Sequence, residues 1–260
     1  MSSINGQKSC FTIVDAHTHL GYDYIFEHDF SLHELLTNME KNRVYASIVQ
    51  PGTTLDLETA IKQHNAIAEL SKKMPGRIFG MANPNPHLQE DEYYKELKRC
   101  VNNLGFVGVK MHPFAHAVNP NGLTGRKVFE AALNLKIPVM IHTGSGVPWS
   151  LPSALIPIAK NFPNLKIILA HSGGSLFIKE AILAAQLCSN IYLETSWLPS
   201  TAIRKACKTL GANRVMFGSD HGCNVATELT KFKTIGLNME ELEWCLGKTA
   251  IKVFKIEIST

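Results

Sequence analysis

Val14-Asp15-Ala16-His17-Thr18-His19-Leu20 carries three polar, chemistry-bearing side chains out of an apolar run that begins at Cys10-Phe11-Thr12-Ile13. A short run rich in apolar and β-branched residues reads as a buried strand. Side chains at i and i+2 of a strand share a face. His17 and His19 therefore project together from the carboxyl end of this strand, with Asp15 two residues deeper on the same face. Two adjacent imidazoles are half of a metal site in geometric terms. Alone, the pair is a weak signal, so its meaning depends on what the other strands bring to the same end.

Outward from this stretch the chain alternates. Strands are expected at 46–51, 78–82, 106–113, 138–144, 165–171, 190–196 and 214–220. Helices are expected at 32–42, 56–73, 90–103, 125–136, 153–161, 176–188, 200–210 and 226–235, with a final amphipathic segment at 239–254. Ser31 stands in the N-cap position of the first helix, with Glu34 placed for a capping box. Eight strand–helix units at intervals of roughly 25–32 residues fit an α/β fold of the (β/α)8 TIM-barrel type, one domain over 10–256 with an extra C-terminal helix and an N-terminal extension over 1–9. An open doubly wound sheet is the alternative, but no Gly-x-Gly-x-x-Gly follows any of the strands. The strands are rich in Val, Ile and Leu, as parallel strands buried on both sides must be.

These strands end in chemistry. The first ends in His17 and His19, the fourth in Lys110 and His112, the fifth in His142, the sixth in His171, the seventh in Glu194 and the eighth in Asp220. In a barrel the carboxyl ends converge on one mouth, where active sites are built. Of the remaining histidines, His28, His33, His64 and His87 read as surface residues, His116 as a loop residue within reach of substrate, and His221 as a packing residue.

Composition narrows the class further. The 260 residues are 45% hydrophobic and 18% charged with a net charge of +4, an ordinary globular balance without a basic tract, so nucleic acid is not an expected partner. The opening residues lack the apolar core of a signal peptide, and no run approaches a membrane span, so no membrane partner is expected. Six cysteines without a Cys-x-x-Cys pair point to free thiols in a reducing cytoplasm. A homodimer is the default expectation from the frequency of two-fold assemblies.

Asp-Ala-His-Thr-His, Ile-His-Thr-Gly, Ala-His-Ser-Gly-Gly and Gly-Ser-Asp, in that order on the first, fifth, sixth and eighth strands, resemble the amidohydrolase superfamily of metal-dependent hydrolases. They are most similar to its amidohydrolase-related branch, which also contains aminocarboxymuconate-semialdehyde decarboxylase and dihydroxybenzoate decarboxylases. The resemblance covers residues 10 to about 254. It implies His17, His19, His142 and Asp220 as metal ligands, with His171 beside the metal-bound water or on a second metal. Some superfamily members bridge two metals with a carbamylated lysine. Lys110 lies in Val-Lys-Met-His-Pro, which resembles the branch and not those binuclear enzymes. Lys110 and His112 are accordingly read as binding an anionic group of the substrate, the alternative being a second metal held by His171 and Lys110.

Three imidazoles and a carboxylate suit a borderline divalent ion, zinc first, with manganese or iron as alternatives. The expected reaction is attack of a metal-activated water on a small carbonyl compound (an amide, lactone or ester), with Asp220 moving the proton and His171 supporting the oxyanion. The alternative is non-oxidative decarboxylation of a small unsaturated or aromatic acid. A non-catalytic metal-binding barrel would need the base displaced. Glu194 is read as either a partner to a ligand histidine or a rim residue. Tyr22, Tyr24, Phe26, Phe114 and Trp149, on the loops after the first, fourth and fifth strands, are expected to wall a small, anionic substrate, with Trp149 counted among the binding residues.

Overall fold

In the computed structural model, which describes residues 11–258, β1 (Ile13–Asp23) runs past the histidine pair and folds back on β2 (His28–Phe30). The two form an antiparallel hairpin, Gly21 opposite Phe30 and Asp23 opposite His28. The order then continues as α1 (Leu32–Asn42), β3 (Val44–Pro51), α2 (Leu57–Lys73), β4 (Ile78–Gly80), α3 (Glu90–Asn102), β5 (Val109–Met111), α4 (Leu123–Leu135) and β6 (Val139–His142). It is completed by α5 (Ile156–Asn161), β7 (Ile167–Ala170), α6 (Gly174–Leu187), β8 (Ile191–Glu194), α7 (Ser200–Leu210), β9 (Val215–Met216), α8 (Val225–Thr234), α9 (Met239–Glu243) and α10 (Thr249–Phe254). Cys10 and the extension over 1–9 lie outside the described residues.

The strands pair in the orders β2-β1-β3-β4 and β5-β6-β7-β8-β9, and every pairing except β1 with β2 is parallel. Two seams join these sheets into a (β/α)8 barrel. At one, the Ala82 N–H donates to Gly108 O (3.0 Å) and the Lys110 N–H to Ala82 O (2.7 Å). At the other, the Ala16 N–H donates to Phe217 O (3.0 Å) and the Asp220 N–H to His17 O (2.7 Å). The second seam brings the first and last strands together, and with them the histidine pair and Asp220.

Alternation sorts the side chains into two cores. Val109, Met111, Val139, Ile141, Ile167, Leu169, Ile191, Leu193 and Val215 pack outward under the helices. Val14, Ala16, Ala46, Ile48, Met81, Met140, Ile168, Ala170, Tyr192 and Met216 form the inner core with Ala250, Val253, Phe254 and Ile256, which plug its amino end from the chain terminus. Lys110, His142 and Glu194 continue the inward parity of β5, β6 and β8 toward the other end.

Two expectations are corrected here, and one is refined. The stretch after the histidine pair is not a loop but the β1–β2 hairpin, whose second strand is too short and polar to carry a periodic signal. The expected C-terminal helix is present as one continuous helical run over 239–254, in which α9 passes through a π turn at Trp244–Lys248 into α10. Gly247 lies there against β1, where a Cβ would sit 2.1 Å from Thr12 O. Finally, β1 shifts register between Asp15 and Thr18. Val14 and Ala16 face inward, and the irregularity turns the face from even to odd positions. Asp15 therefore does not lie beneath the imidazoles. It turns into the seam, where it accepts the Ser219 hydroxyl (2.6 Å) and N–H (3.0 Å) and the His17 N–H (3.2 Å).

Candidate metal centre at the barrel mouth

His17 is wholly buried and its ring is held at both nitrogens. Nδ1–H donates to Glu194 Oε2 at 2.8 Å, which leaves the Nε2 lone pair facing Lys110 Nζ (2.9 Å) and Asp220 Oδ1 (3.2 Å). His19 Nε2 lies 3.5 Å from the same Asp220 oxygen and meets the Gln50 amide at 2.8 Å. Ligand atoms of His17, His19 and Asp220 all fall within 4.8 Å of one another, as do those of His17, His171 and Glu194. Nitrogen and carboxylate donors converging in this way fit a borderline divalent cation. His142 lines the same cavity but stands outside both groups: its Nε2–H points at Ser145 O (2.9 Å), and its ring stacks on His112 with centroids 3.9 Å apart.

Glu194 is buried at the centre, not on the rim. Besides His17 it accepts the His171 N–H (3.0 Å), the Ser196 N–H (2.5 Å) and the Ser196 hydroxyl (2.9 Å). His171 Nδ1 lies 2.8 Å from Ser196 Oγ, so a hydrogen-bonded chain runs from His171 through Ser196 to Glu194. His171, Ser172, Trp197 and Asp220 all have positive φ, between 45° and 65°. Such strained backbone persists where the surroundings over-determine it, and functional sites concentrate it.

The electrostatics follow from burial. Desolvation lowers His17, His112 and His171 well below the ordinary imidazole range, with Lys110 adding to the shift at His17. Desolvation also brings Lys110 down to about 8, partly opposed by Asp220 and Glu194. Burial alone would raise Asp220, but His171 and hydrogen bonds to His19 and His221 outweigh it and hold the carboxyl well below its usual value. The mouth thus sets the lowered imidazoles of His17, His19, His112, His142 and His171 around the Lys110 ammonium and the Asp220 carboxylate, and that carboxylate in turn raises His221.

A cavity of about 390 Å³ opens over this cluster. Lys110, His112, His142, His171 and Asp220 line it, with Phe26 and Phe30 from the hairpin and Phe114 from the loop after β5. Tyr22, Tyr24 and Trp149 are half-exposed and are not among the lining residues. His28 and His221 do line it, correcting their reading as surface and packing residues, and His221 Nε2 lies 3.3 Å from Asp220 Oδ2. His116 is buried and receives the His112 N–H on Nδ1 at 3.3 Å. His64 is no surface residue either: Nδ1–H donates to Glu96 (2.7 Å) and Nε2 accepts the Asn83 N–H (3.0 Å).

Two neighbours of the centre were missed from the sequence. Gln50 ends its strand on the inward face of Ile48, a position of the same kind as the others, and its polarity was the available signal. Trp197 follows the seventh strand by one residue and donates its indole N–H to Asp220 Oδ2 at 2.8 Å. No periodicity marks it. Cys100, Cys188, Cys207, Cys223 and Cys245 are unpaired. No helix among the described residues is long and apolar enough to cross a membrane.

A closed (β/α)8 barrel whose mouth gathers imidazoles, carboxylates and one buried lysine from most of its strands defines the class of metal-dependent barrel enzymes. Within that class the chain belongs to the amidohydrolase family, whose model matches residues 14–256. A 2-keto-4-carboxy-3-hexenedioate hydratase of Sphingobium sp. is 25% identical over 193 residues, 60% of this chain and 56% of the hydratase. A 2-amino-3-carboxymuconate-6-semialdehyde decarboxylase of Dictyostelium discoideum is 23% identical over 216 residues, 66% of this chain and 58% of the decarboxylase. The chain thus spans just over half the length of these curated relatives. The solved 5-carboxyvanillate decarboxylase of Novosphingobium aromaticivorans, complexed with manganese and 4-hydroxy-3-methoxy-5-nitrobenzoic acid, has the same fold, with a TM-score of 0.79 at 15% identity over 96% of this chain and 97% of that one. These similarities agree with the decarboxylase-containing branch of the family.

Proposed function

We propose that the chain is a metal-dependent carboxy-lyase that removes carbon dioxide from a small unsaturated carboxylic acid. One observation carries the reading: Lys110 is the only lysine or arginine among the described residues lining the cavity, and it lies buried beside the histidine cluster behind walls of phenylalanine. A buried ammonium below aromatic faces suits a flat acid whose carboxylate points inward. The reactions of the hydratase and the decarboxylases, all on small carboxylic acids, support the same substrate class.

His17, His19 and Asp220 would hold the metal, with His142 beside them, and zinc, manganese or iron(II) suits that donor set. When bound, the ion supplies Lewis acidity toward a substrate oxygen. Lys110 and His112 hold the acid, and Phe26 and Phe114 flank its plane. His171, neutral at rest, takes one proton from solvent on Nε2 as the acid binds, and the resulting imidazolium is supported through Ser196 by Glu194. The bond to the carboxylate breaks, its electron pair stays on the carbon, and the proton from His171 completes that carbon's valence. The products are carbon dioxide and the substrate carbon skeleton with hydrogen in place of the carboxylate.

Hydrolysis of a lactone, amide or ester is the second reading, favoured by the position of Asp220, whose Oδ1 stands beside the His17 and His19 imidazoles where it would meet a metal-activated water. The two separate in one assay. The protein loaded with Mn2+ or Zn2+ is offered hydroxylated benzoates and carboxylated muconates beside lactones and amides. Carbon dioxide release is expected, and Lys110→Met should raise KM for the acid by about 10-fold or more, the loss of one charge-assisted contact. Turnover of lactones or amides without carbon dioxide release would reverse the assignment.

A further inference from the structure

Asp220 divides its two oxygens. Oδ1 faces the imidazoles of His17 and His19, while Oδ2 is taken by the Trp197 indole N–H at 2.8 Å and faces His221 Nε2 at 3.3 Å. We propose that Trp197 is a positioning residue: by claiming Oδ2 it dedicates Oδ1 to the metal centre. The inference rests on the reading of Asp220 as a member of that centre.

The Trp197 backbone is held from behind by a buried carboxylate on another element. Glu228 of α8 is wholly buried, and its Oε1 accepts the Trp197 backbone N–H at 3.0 Å. The same oxygen accepts the Asn224 side-chain amide at 3.1 Å, and that amide also donates to Ser219 O at 3.2 Å. One carboxylate therefore brackets the segment after β8, which carries Trp197, and the segment after β9, which carries Asp220. Both residues sit in left-handed backbone, Trp197 at φ 64° and Asp220 at φ 65°. This conformation is costly for residues other than glycine and needs such a bracket. Trp197 is itself 50% exposed, so burying its ring is not what the arrangement achieves. What it contributes is one N–H aimed at one oxygen.

Trp197→Phe keeps an aromatic ring at this half-exposed position and removes that donor. Partners that orient a metal-ligating group typically change metal affinity or activity by 10–100-fold. Expected for Trp197→Phe is a Mn2+ dissociation constant about 10–100-fold above wild type, measured by chelator competition without substrate, while metal-free unfolding stays within about 2 °C, as for a surface change. In any acid-decarboxylating assay kcat should fall with KM little changed. Emission gives a second readout. In a Trp149→Phe background, Zn2+ should alter indole fluorescence with Trp197 present, with or without Trp244→Phe, but not after Trp197→Phe. Mn2+ affinity within two-fold of wild type in Trp197→Phe, or a zinc response that survives it in the Trp149→Phe background, would overturn the proposal, as would a wild-type protein that binds neither ion. Weakened metal binding in a protein that decarboxylates nothing would instead sink the functional reading and leave the role of Trp197 standing.

Discussion

At the scale of single residues, the site depends on a side chain that is missing. A Cβ on Gly218 would lie 2.5 Å from Glu194 Oε1 and 2.9 Å from His17 Cβ. Glycine is needed there because Glu194 and His17 occupy that space, not for its φ. Gly218→Ala is expected to push Glu194 off His17 and cost about 1–3 kcal/mol by overpacking, with metal affinity falling too. Thermal unfolding and metal titration on one sample check both. Glu194→Gln tests the same carboxylate by charge: it turns an acceptor that collects four hydrogen bonds into one with half an amide, and a 10–100-fold loss of metal affinity is expected from calorimetry. Much of this was legible. Polar residues ending strands otherwise made of Val, Ile and Leu pointed to His17, His19, Lys110, His112, His142, His171, Glu194 and Asp220, because so many at one barrel mouth are not expected from packing alone. Asp15 was misplaced because a register shift has no letter in the sequence. Trp197 was invisible because a side chain reaching back from a connecting segment follows no period.

At the scale of elements, α2 and α3 are tied to each other and to the end of β4 by a buried polar bracket. His64 of α2 donates to Glu96 of α3 and accepts the Asn83 N–H, while Arg99 grips Glu96 through both nitrogens, Nε at 2.7 Å and Nη2 at 2.8 Å. Although burial raises Glu96, the hydrogen bonds from Arg99 and His64 win and hold it at about 2. Desolvation, the largest influence on His64, lowers it despite Glu96. Both groups therefore bind fewer protons folded than unfolded. Their stabilisation is complete above the unfolded values of 6.5 and 4.5, and it is lost as pH falls, first through His64 and then toward 2 through Glu96. His64→Leu leaves the Asn83 N–H and one Glu96 lone pair unmet, for an expected cost of about 1–3 kcal/mol. It should also remove one proton's share, about 1.4 kcal/mol per pH unit at most, from the fall in stability between pH 7 and 5. Denaturant titrations at several pH values measure this, and an undiminished slope would assign the titration to other buried histidines. The helical period identified α2 and α3 themselves, but read His64 as a surface residue. Its burial comes from α3 lying against it, which one helix's pattern does not contain.

At the scale of the whole molecule, the barrel separates stability from chemistry along its axis. The mouth concentrates neutralised imidazoles, strained backbone and one buried ammonium, all of which cost folding free energy. The opposite end is closed by apolar packing, with Val253 and Phe254 of α10 and Ile256 just beyond it set on the inner core, and its polar contacts, such as Lys166 Nζ to the Tyr192 hydroxyl at 3.1 Å, are ordinary paired ones. Phe254 is 3% exposed, and Gly108 leaves room for its ring, where a Cβ would come within 3.3 Å. The eight-unit spacing announced the barrel, yet nothing in the final amphipathic segment said that it would turn inward as the floor. Phe254→Ala is expected to cost about 3–5 kcal/mol, the loss of a large buried ring with the cavity it leaves. In a protein of this size that lowers the unfolding temperature by roughly 6–20 °C. If the ends are separable, the variant assayed well below its own transition keeps wild-type metal affinity and kcat. Calorimetry gives the first number and a metal titration at 10 °C the second. A folded Phe254→Ala protein that had lost its metal affinity would mean that the floor sets the position of the strand ends above it, and that the division of the barrel into a stabilising end and a reactive end does not hold for this chain.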